Sequence, residues 1–215
     1  VFELSKVKLS HIRLRMLANL RNVDESLAKR VAGSMGIELP KASQAAVAAV
    51  DLKPSPALRI IGNMKETLKG RSIGILIDDG SDAKVFAAVK SEVQSAGGHP
   101  IVIAPKIGGA KMDNGKMQSA DAQLAGCPSA LVDAVALILD EKAADKLCDE
   151  SAAVQFVMDA FGHLKAIGHT PGANALLKKA GVQPVDGVVS LPDKTFVAAA
   201  AKRYFERETK ASIVP

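Results

Sequence analysis

From residue 72 onward the chain alternates short, wholly apolar runs with segments of helical period, and that alternation narrows the fold more than any other feature. Ile73-Gly74-Ile75-Leu76-Ile77, Ile101-Val102-Ile103-Ala104 and Ala134 to Leu139 are apolar at every position rather than at every second one. A strand can be apolar on both faces only where both faces are covered, as in a parallel sheet held between two helix layers. Between these runs, Val85, Phe86, Val89 and Val93 mark one helix face, closed by Gly97-Gly98. Val154, Val157, Met158, Phe161 and Leu164 mark a second, and Ala173 to Ala180 reads as a third. After a short strand at Val188-Val189, a final helix carries Phe196, Val197, Ala200, Tyr204 and Phe205. Aromatic residues are only 3% of the chain, with no Trp and one Tyr, so the core must be built from Ala, Val, Ile and Leu. Pro105 to Pro128 breaks the alternation, and its Gly108-Gly109 and Asn114-Gly115 pairs predict a hairpin there.

The residues before this region read differently. In 1–39, Leu9, Ile12, Met16 and Leu20 recur at helical spacing. A second helix is expected to start at an Asp24 cap, to carry Leu27, Ala28, Val31, Ala32 and Met35 on one face, and to stop at Gly36. Two short amphipathic helices bury too little area to be stable alone, so their apolar faces call for another surface. Residues 40–69, punctuated by Pro40, Pro54 and Pro56, read as an extended linker. The start Val1-Phe2-Glu3-Leu4 has neither an initiator Met nor a signal pattern and reads as a cut from a longer polypeptide. The expected organisation is thus two helices in 1–39, a linker over 40–69, and an α/β domain over 70–215. That domain is expected to be a flavodoxin-like three-layer sandwich around a parallel sheet.

The formal net charge is +5, but Lys and Arg are scattered among Asp and Glu, and aromatics that could stack on bases are nearly missing. Nucleic acid is therefore not an expected partner. No apolar run is long enough to span a membrane, so none is expected there either. Cys127 and Cys148 form no CxxC pair and read as free thiols of a reducing compartment, which places the chain in the cytoplasm.

In an open parallel sheet ligands bind at the carboxyl ends of the strands. After the first strand stands Asp78-Asp79-Gly80-Ser81-Asp82, whose three carboxylates would repel a phosphate, and no nucleotide-binding glycine pattern occurs. After the third stands Asp140-Glu141-Lys142-Ala143-Ala144, without the glycines that usually expose oxyanion-binding amides. Ile167-Gly168-His169-Thr170 reads as a strand-to-helix elbow where related folds present a nucleophile, and Gly168 cannot be one. His169 could serve as a general base only beside a substrate and an orienting carboxylate. His163 and His169 lie six residues apart without a carboxylate cluster, and His11 and His99 are isolated, so no metal is expected.

Residues from about 70 onward resemble the ThiJ/PfpI, type I glutamine-amidotransferase-like superfamily. That family places an acidic residue after its first strand, near which Asp82 lies, and a Cys at its elbow in an Ala-Ile-Cys-His-Gly context. Here the stretch reads Ala166-Ile167-Gly168-His169-Thr170, and the family's glycine pair after the central strand is missing. The chain as a whole resembles the C-terminal portion of a large-subunit haem catalase. Phe2-Glu3-Leu4-Ser5-Lys6-Val7 and Asn22-Val23-Asp24-Glu25-Ser26-Leu27-Ala28-Lys29-Arg30-Val31-Ala32 resemble the end of that family's core. Pro54-Ser55-Pro56-Ala57-Leu58, Lys69-Gly70-Arg71-Ser72-Ile73-Gly74-Ile75-Leu76 and Gly108-Gly109-Ala110-Lys111 resemble its linker and terminal domain.

The resemblance implies a homotetrameric parent that uses haem to turn hydrogen peroxide into water and oxygen. That chemistry needs a distal His and Asn and a proximal Tyr. Tyr204, the one Tyr here, stands in no haem-ligand context, so the chemistry is expected upstream of Val1. No catalytic, cofactor-binding or metal-binding residue is expected in these 215 residues. The expected role is a non-catalytic accessory domain that packs on the upstream catalase core and supports its stability and assembly. Two other readings are chaperone-like binding of unfolded client proteins and a residual small-molecule enzyme using His169 with Asp82.

Overall fold

The computed structural model describes residues 1–48 and 50–211 and divides the chain into two compact units, Val1–Asn63 and Met64–Pro215. The first unit holds α1 (Phe2–Ser5), α2 (Ser10–Leu20) and α3 (Glu25–Ser34). Helix α3 begins where the Asp24 carboxylate accepts the Leu27 N–H at 2.7 Å. It ends at Gly36, whose φ of 62° lets the Ile37 N–H reach back to the Ala32 carbonyl at 3.0 Å. Leu17, Ala28 and Ala32 are buried, while Leu9, Leu14, Met16 and Leu27 stay at least 40% exposed. Of the four residues at helical spacing, Leu9 and Met16 thus remain on an open face, and Leu17 supplies the interior contact. Between Pro40 and Asn63 the only helical piece described is a 3-10 turn at Pro56–Leu58, and Val47, Val50, Leu52, Leu58, Ile60 and Ile61 are exposed.

The second unit is a flavodoxin-like three-layer α/β sandwich. Its six strands are β1 (Ser72–Ile77), β2 (His99–Ala104), β5 (Ala122–Gln123), β6 (Ala134–Ile138), β7 (Ile167–His169) and β8 (Val188–Ser190). They pair in parallel in the order β5-β2-β1-β6-β7-β8. The expected hairpin forms from β3 (Ala110–Lys111) and β4 (Met117–Gln118). Burial follows the pleat. Ile73, Ile75 and Ile77 of β1, with Ala134, Ala136 and Ile138 of β6, pack under α4 (Ala83–Ser95) and α8 (Thr195–Ala200). Leu76, Val135 and Leu137 face the other way, onto α5 (Glu141–Leu147), α6 (Ser151–Gly162) and α7 (Asn174–Lys179). Every residue of β6 is buried, as an apolar run at the sheet centre requires. A short α9 (Glu208–Ala211) follows a 3-10 turn at Phe205–Arg207.

Two local expectations are corrected, and one strand is added. Gly168 and His169 form no elbow. They are the last two residues of β7, laddered to Ala136 and Leu137 on one side and to Val189 and Ser190 on the other, so the chain turns only at Thr170. The last long helix stops at Ala200, because the Tyr204 N–H is held by the Leu164 carbonyl at 3.0 Å, which takes Tyr204 and Phe205 off the helix path. Strand β5 is also absent from the sequence reading. At two residues it has no legible period, and it is fixed by the Asp121 carboxylate accepting the Val102 N–H at 2.8 Å.

Candidate functional site

Strand order reverses between β1 and β6, which makes their carboxyl ends the place to look for a site. A cleft of about 400 Å³ opens there, lined among others by Gly80, Asp82, Asp140, Glu141, Thr170 and Pro171. Glu141 is exposed, whereas the aspartates at these strand ends are engaged. Asp82 caps α4, accepting the N–H groups of Lys84 and Val85 at 2.8 and 2.9 Å. Asp140 caps α5, accepting the Ala143 N–H at 2.7 Å, and Asp79 accepts the Lys111 N–H at 2.7 Å. Asp78 is buried and paired with Lys146 at 2.8 Å, a hydrogen bond that pushes the Lys146 ammonium above its ordinary range.

The amides at these strand ends are engaged as well. The buried Ser81 hydroxyl accepts the Asp78 N–H at 3.0 Å, and its hydrogen reaches the carbonyls of Asp78 and Ile138, tying the β1 turn to β6. The buried Thr170 hydroxyl accepts the Leu139 N–H at 3.0 Å and donates to the Leu139 carbonyl at 2.7 Å, tying the β7 turn to β6. An oxyanion hole needs amides that point at open space. Those of Asp78 and Leu139 are satisfied internally.

The space beside Gly168 is full. A Cβ built there would stand 2.7 and 2.8 Å from Phe196 ring carbons and 3.2 Å from Leu191 Cδ1. Phe196 is fully buried, so its ring occupies the volume that a side chain at this position would need. Gly172 is tighter against main chain. Its Cβ would fall 2.4 Å from the Leu139 carbonyl oxygen and 2.8 Å from Asp140 Cα, so the turn after β7 lies against the backbone that follows β6.

His169 is half-buried, with Nδ1 3.2 Å from the Thr170 carbonyl oxygen. It lines a different cleft, of about 620 Å³, with Asn174, Leu177, Lys178, Val182 and Val188. The pair considered for residual chemistry is therefore not brought together, since Asp82 faces the first cleft and His169 the second. Burial pushes the thiols of Cys127 and Cys148 up, the opposite of what an activated nucleophile requires. Among the described residues no group of three His, Cys, Asp or Glu side chains could hold a metal ion.

The amino ends of the strands hold a feature the sequence reading missed. Lys165, only 5% exposed, donates to the carbonyls of Ser129 and Val132, and burial pushes its ammonium below the ordinary range. Arg207, 3% exposed, donates to the carbonyls of Lys165 and Asp186 at 2.8 and 2.6 Å, and stacks on Phe161 and Tyr204. Arg203 pairs with Asp133, while Arg71 donates to the Ala201 carbonyl at 2.7 Å. These cations fasten the terminal segment to the bottom of the sheet. Each donates to main-chain oxygens far away in the sequence, Arg203 to the Asp133 carbonyl beside that carboxylate, and no residue-type pattern announces such a bond.

The family model of the C-terminal domain found in long catalases matches residues 69–204. Catalase C of Rhizobium meliloti is 43% identical over 202 residues, covering 92% of this chain and 29% of that protein. Catalase HPII of Pseudomonas putida is 30% identical across 100% of the chain and 31% of its own length, and Catalase-B of Dictyostelium discoideum 28% across 100% and 32%. The chain thus spans about three tenths of the length of these curated relatives. A catalase relative 43% identical over 92% of this chain, and a domain match that takes in every strand of the sandwich, lead to one assignment: this chain belongs to the family of C-terminal domains of long catalases.

Proposed function

We propose that the chain is a non-catalytic accessory module of a long catalase, which stabilises the upstream core and its assembly while that core decomposes hydrogen peroxide. The observation that carries this reading is the filled strand end. Phe196 occupies the space beside Gly168, and the Leu139 amide and the Asp82 and Asp140 carboxylates are spent on the fold itself. The open face of α2 and α3 and the exposed Val47, Val50, Leu52, Leu58, Ile60 and Ile61 supply surface for packing on the rest of such a polypeptide and on further copies of it in a homotetramer. A cytoplasmic setting belongs to the same proposal, supported by the unpaired thiols of Cys127 and Cys148.

Haem belongs upstream in this reading, because the residues here do not fit it. A catalase holds its iron through a tyrosine oxygen, whereas the Tyr204 hydroxyl donates to the Ala199 carbonyl at 3.1 Å and its ring lies against the Arg207 guanidinium.

The test is truncation of the long polypeptide within residues 40–69. Its resistance to heat and urea should fall while turnover per intact haem is kept; an unfolding curve identical to that of the untruncated enzyme would sink the proposal. The exposed apolar side chains also suit a chaperone-like role. That second reading requires the 215-residue chain to suppress heat aggregation of a model client better than albumin does.

A further inference from the structure

The cleft beside α7 and β8 contrasts with the one at the β1–β6 strand ends. The latter carries Asp82, Asp140 and Glu141. The former, of about 620 Å³, has no acidic side chain among its lining residues, and its one formal charge is the Lys178 ammonium. A cavity of that volume lies in the range of about 300–1,000 Å³ that holds small molecules.

Its two sides differ in chemistry. Leu177 and Val182 are buried and, with Val188 and Pro184, make an apolar wall. Asn174 and Lys178 stand four residues apart on α7, on one face of the helix. Both side chains are exposed, and neither the Asn174 carboxamide nor the Lys178 ammonium has a hydrogen-bond or ion-pair partner among the described residues. An apolar wall beside an unpaired cation and an unpaired amide donor matches a molecule with a carboxylate at one end and a hydrocarbon tail at the other.

We propose that this cleft binds a medium-chain monocarboxylate, its carboxylate on Lys178 Nζ and the Asn174 amide and its tail on Leu177, Val182 and Val188. The claim is independent of the accessory role, since a stabilising module can hold such a ligand or none.

Octanoate is the probe and octylammonium its charge-reversed counterpart. The 215-residue chain is titrated with each, following backbone amide shifts by NMR and heat by calorimetry. Octanoate should saturate with a Kd on the order of a millimolar or tighter, the scale expected for about ten heavy atoms, with shifts centred on Leu177, Val182 and Val188. Lys178 is exposed but stands in the last turn of α7, so Lys178→Glu should keep the far-ultraviolet circular dichroism spectrum and lower the melt by only a few degrees. It should weaken octanoate by about tenfold or more and strengthen octylammonium. Equal affinity for the two probes, a Lys178→Glu variant that still binds octanoate like the parent chain, shifts centred elsewhere, or a non-saturating response would each overturn the proposal.

Discussion

Placing a thiol at position 168 would restore the residue type that related folds carry there, and the structure gives a figure for the consequence. Atoms at 2.7 and 2.8 Å from a Cβ are well inside contact distance, and the ring they belong to is fully buried and cannot swing into solvent. Overpacking of this kind costs about 1–3 kcal/mol. Replacing a glycine inside a strand returns about 0.5–1 kcal/mol through the unfolded chain. With a buried ring this close the overpacking cost falls in the upper half of its range, about 2–3 kcal/mol. Gly168→Ala should therefore destabilise the sandwich by about 1–2.5 kcal/mol net, or roughly 2–10 °C in its midpoint for a domain of this size, and Gly168→Cys by at least as much. Urea unfolding followed by circular dichroism reads the first figure, and the rate at which a disulfide reagent modifies the introduced thiol reads its access. That thiol should react at the slow rate set by opening of the fold. A double-mutant cycle locates the cause: combining Gly168→Ala with Phe196→Leu should cost about 1 kcal/mol less than the sum of the two singles, because the smaller side chain vacates the contested volume. A Gly168→Ala variant as stable as the parent, or strict additivity in the cycle, would refute the packing argument.

Three further outcomes follow from contacts of the same kind. Gly172→Ala meets main chain rather than a side chain, so it should cost about 2–3 kcal/mol or more, measurable as a drop in the urea midpoint without a change in slope. Thr170→Val keeps the shape of the side chain but leaves the Leu139 N–H and carbonyl without their hydroxyl partner, at a cost of about 1–3 kcal/mol in the same assay and faster hydrogen exchange of the Leu139 amide. Burial raises the Cys127 thiol in the folded state, so its contribution to stability is complete below the unfolded thiol value and is lost as pH rises through the folded one. Cys127→Ala should accordingly flatten the fall in stability above about pH 8.5, by up to about 1.4 kcal/mol per pH unit, and an alkaline limb as steep as that of the parent chain would contradict this.

The sandwich was legible because its strands are apolar on both faces and its helices on one. Ala134 to Ile138 and the Val85, Phe86, Val89 and Val93 stripe pack as their periods required. The Asp24 cap and the Gly36 stop were equally clear, since each depends on one residue type at one helix end. Gly168 was not, because a glycine before a histidine looks like a turn. Only the ladders to β6 and β8 show it to be a strand residue, with Phe196 against it from 28 positions further along the chain. At the candidate site, residue types placed Asp82 in the turn after the first strand, where it caps α4. They could not reveal that Asp82 and His169 open onto separate clefts, the second of them lined by α7 and β8. The hydroxyl ties of Ser81 and Thr170 and the cations under the sheet were hidden for one reason. Their partners are backbone oxygens, and a carbonyl has no signature in a sequence.

The clasp between Arg71 and the Ala201 carbonyl joins residues 130 positions apart, and the Ser72 N–H meets the Asp133 carboxylate 61 positions on. Within the sandwich, the strand made first is thus one of the central strands, and it stays half-paired until β6 arrives. Its last fastening waits for the terminal segment. A parallel sheet assembled from such distant pieces closes late and slowly, so during synthesis the exposed flank of β1 is the surface most in need of protection from other nascent chains.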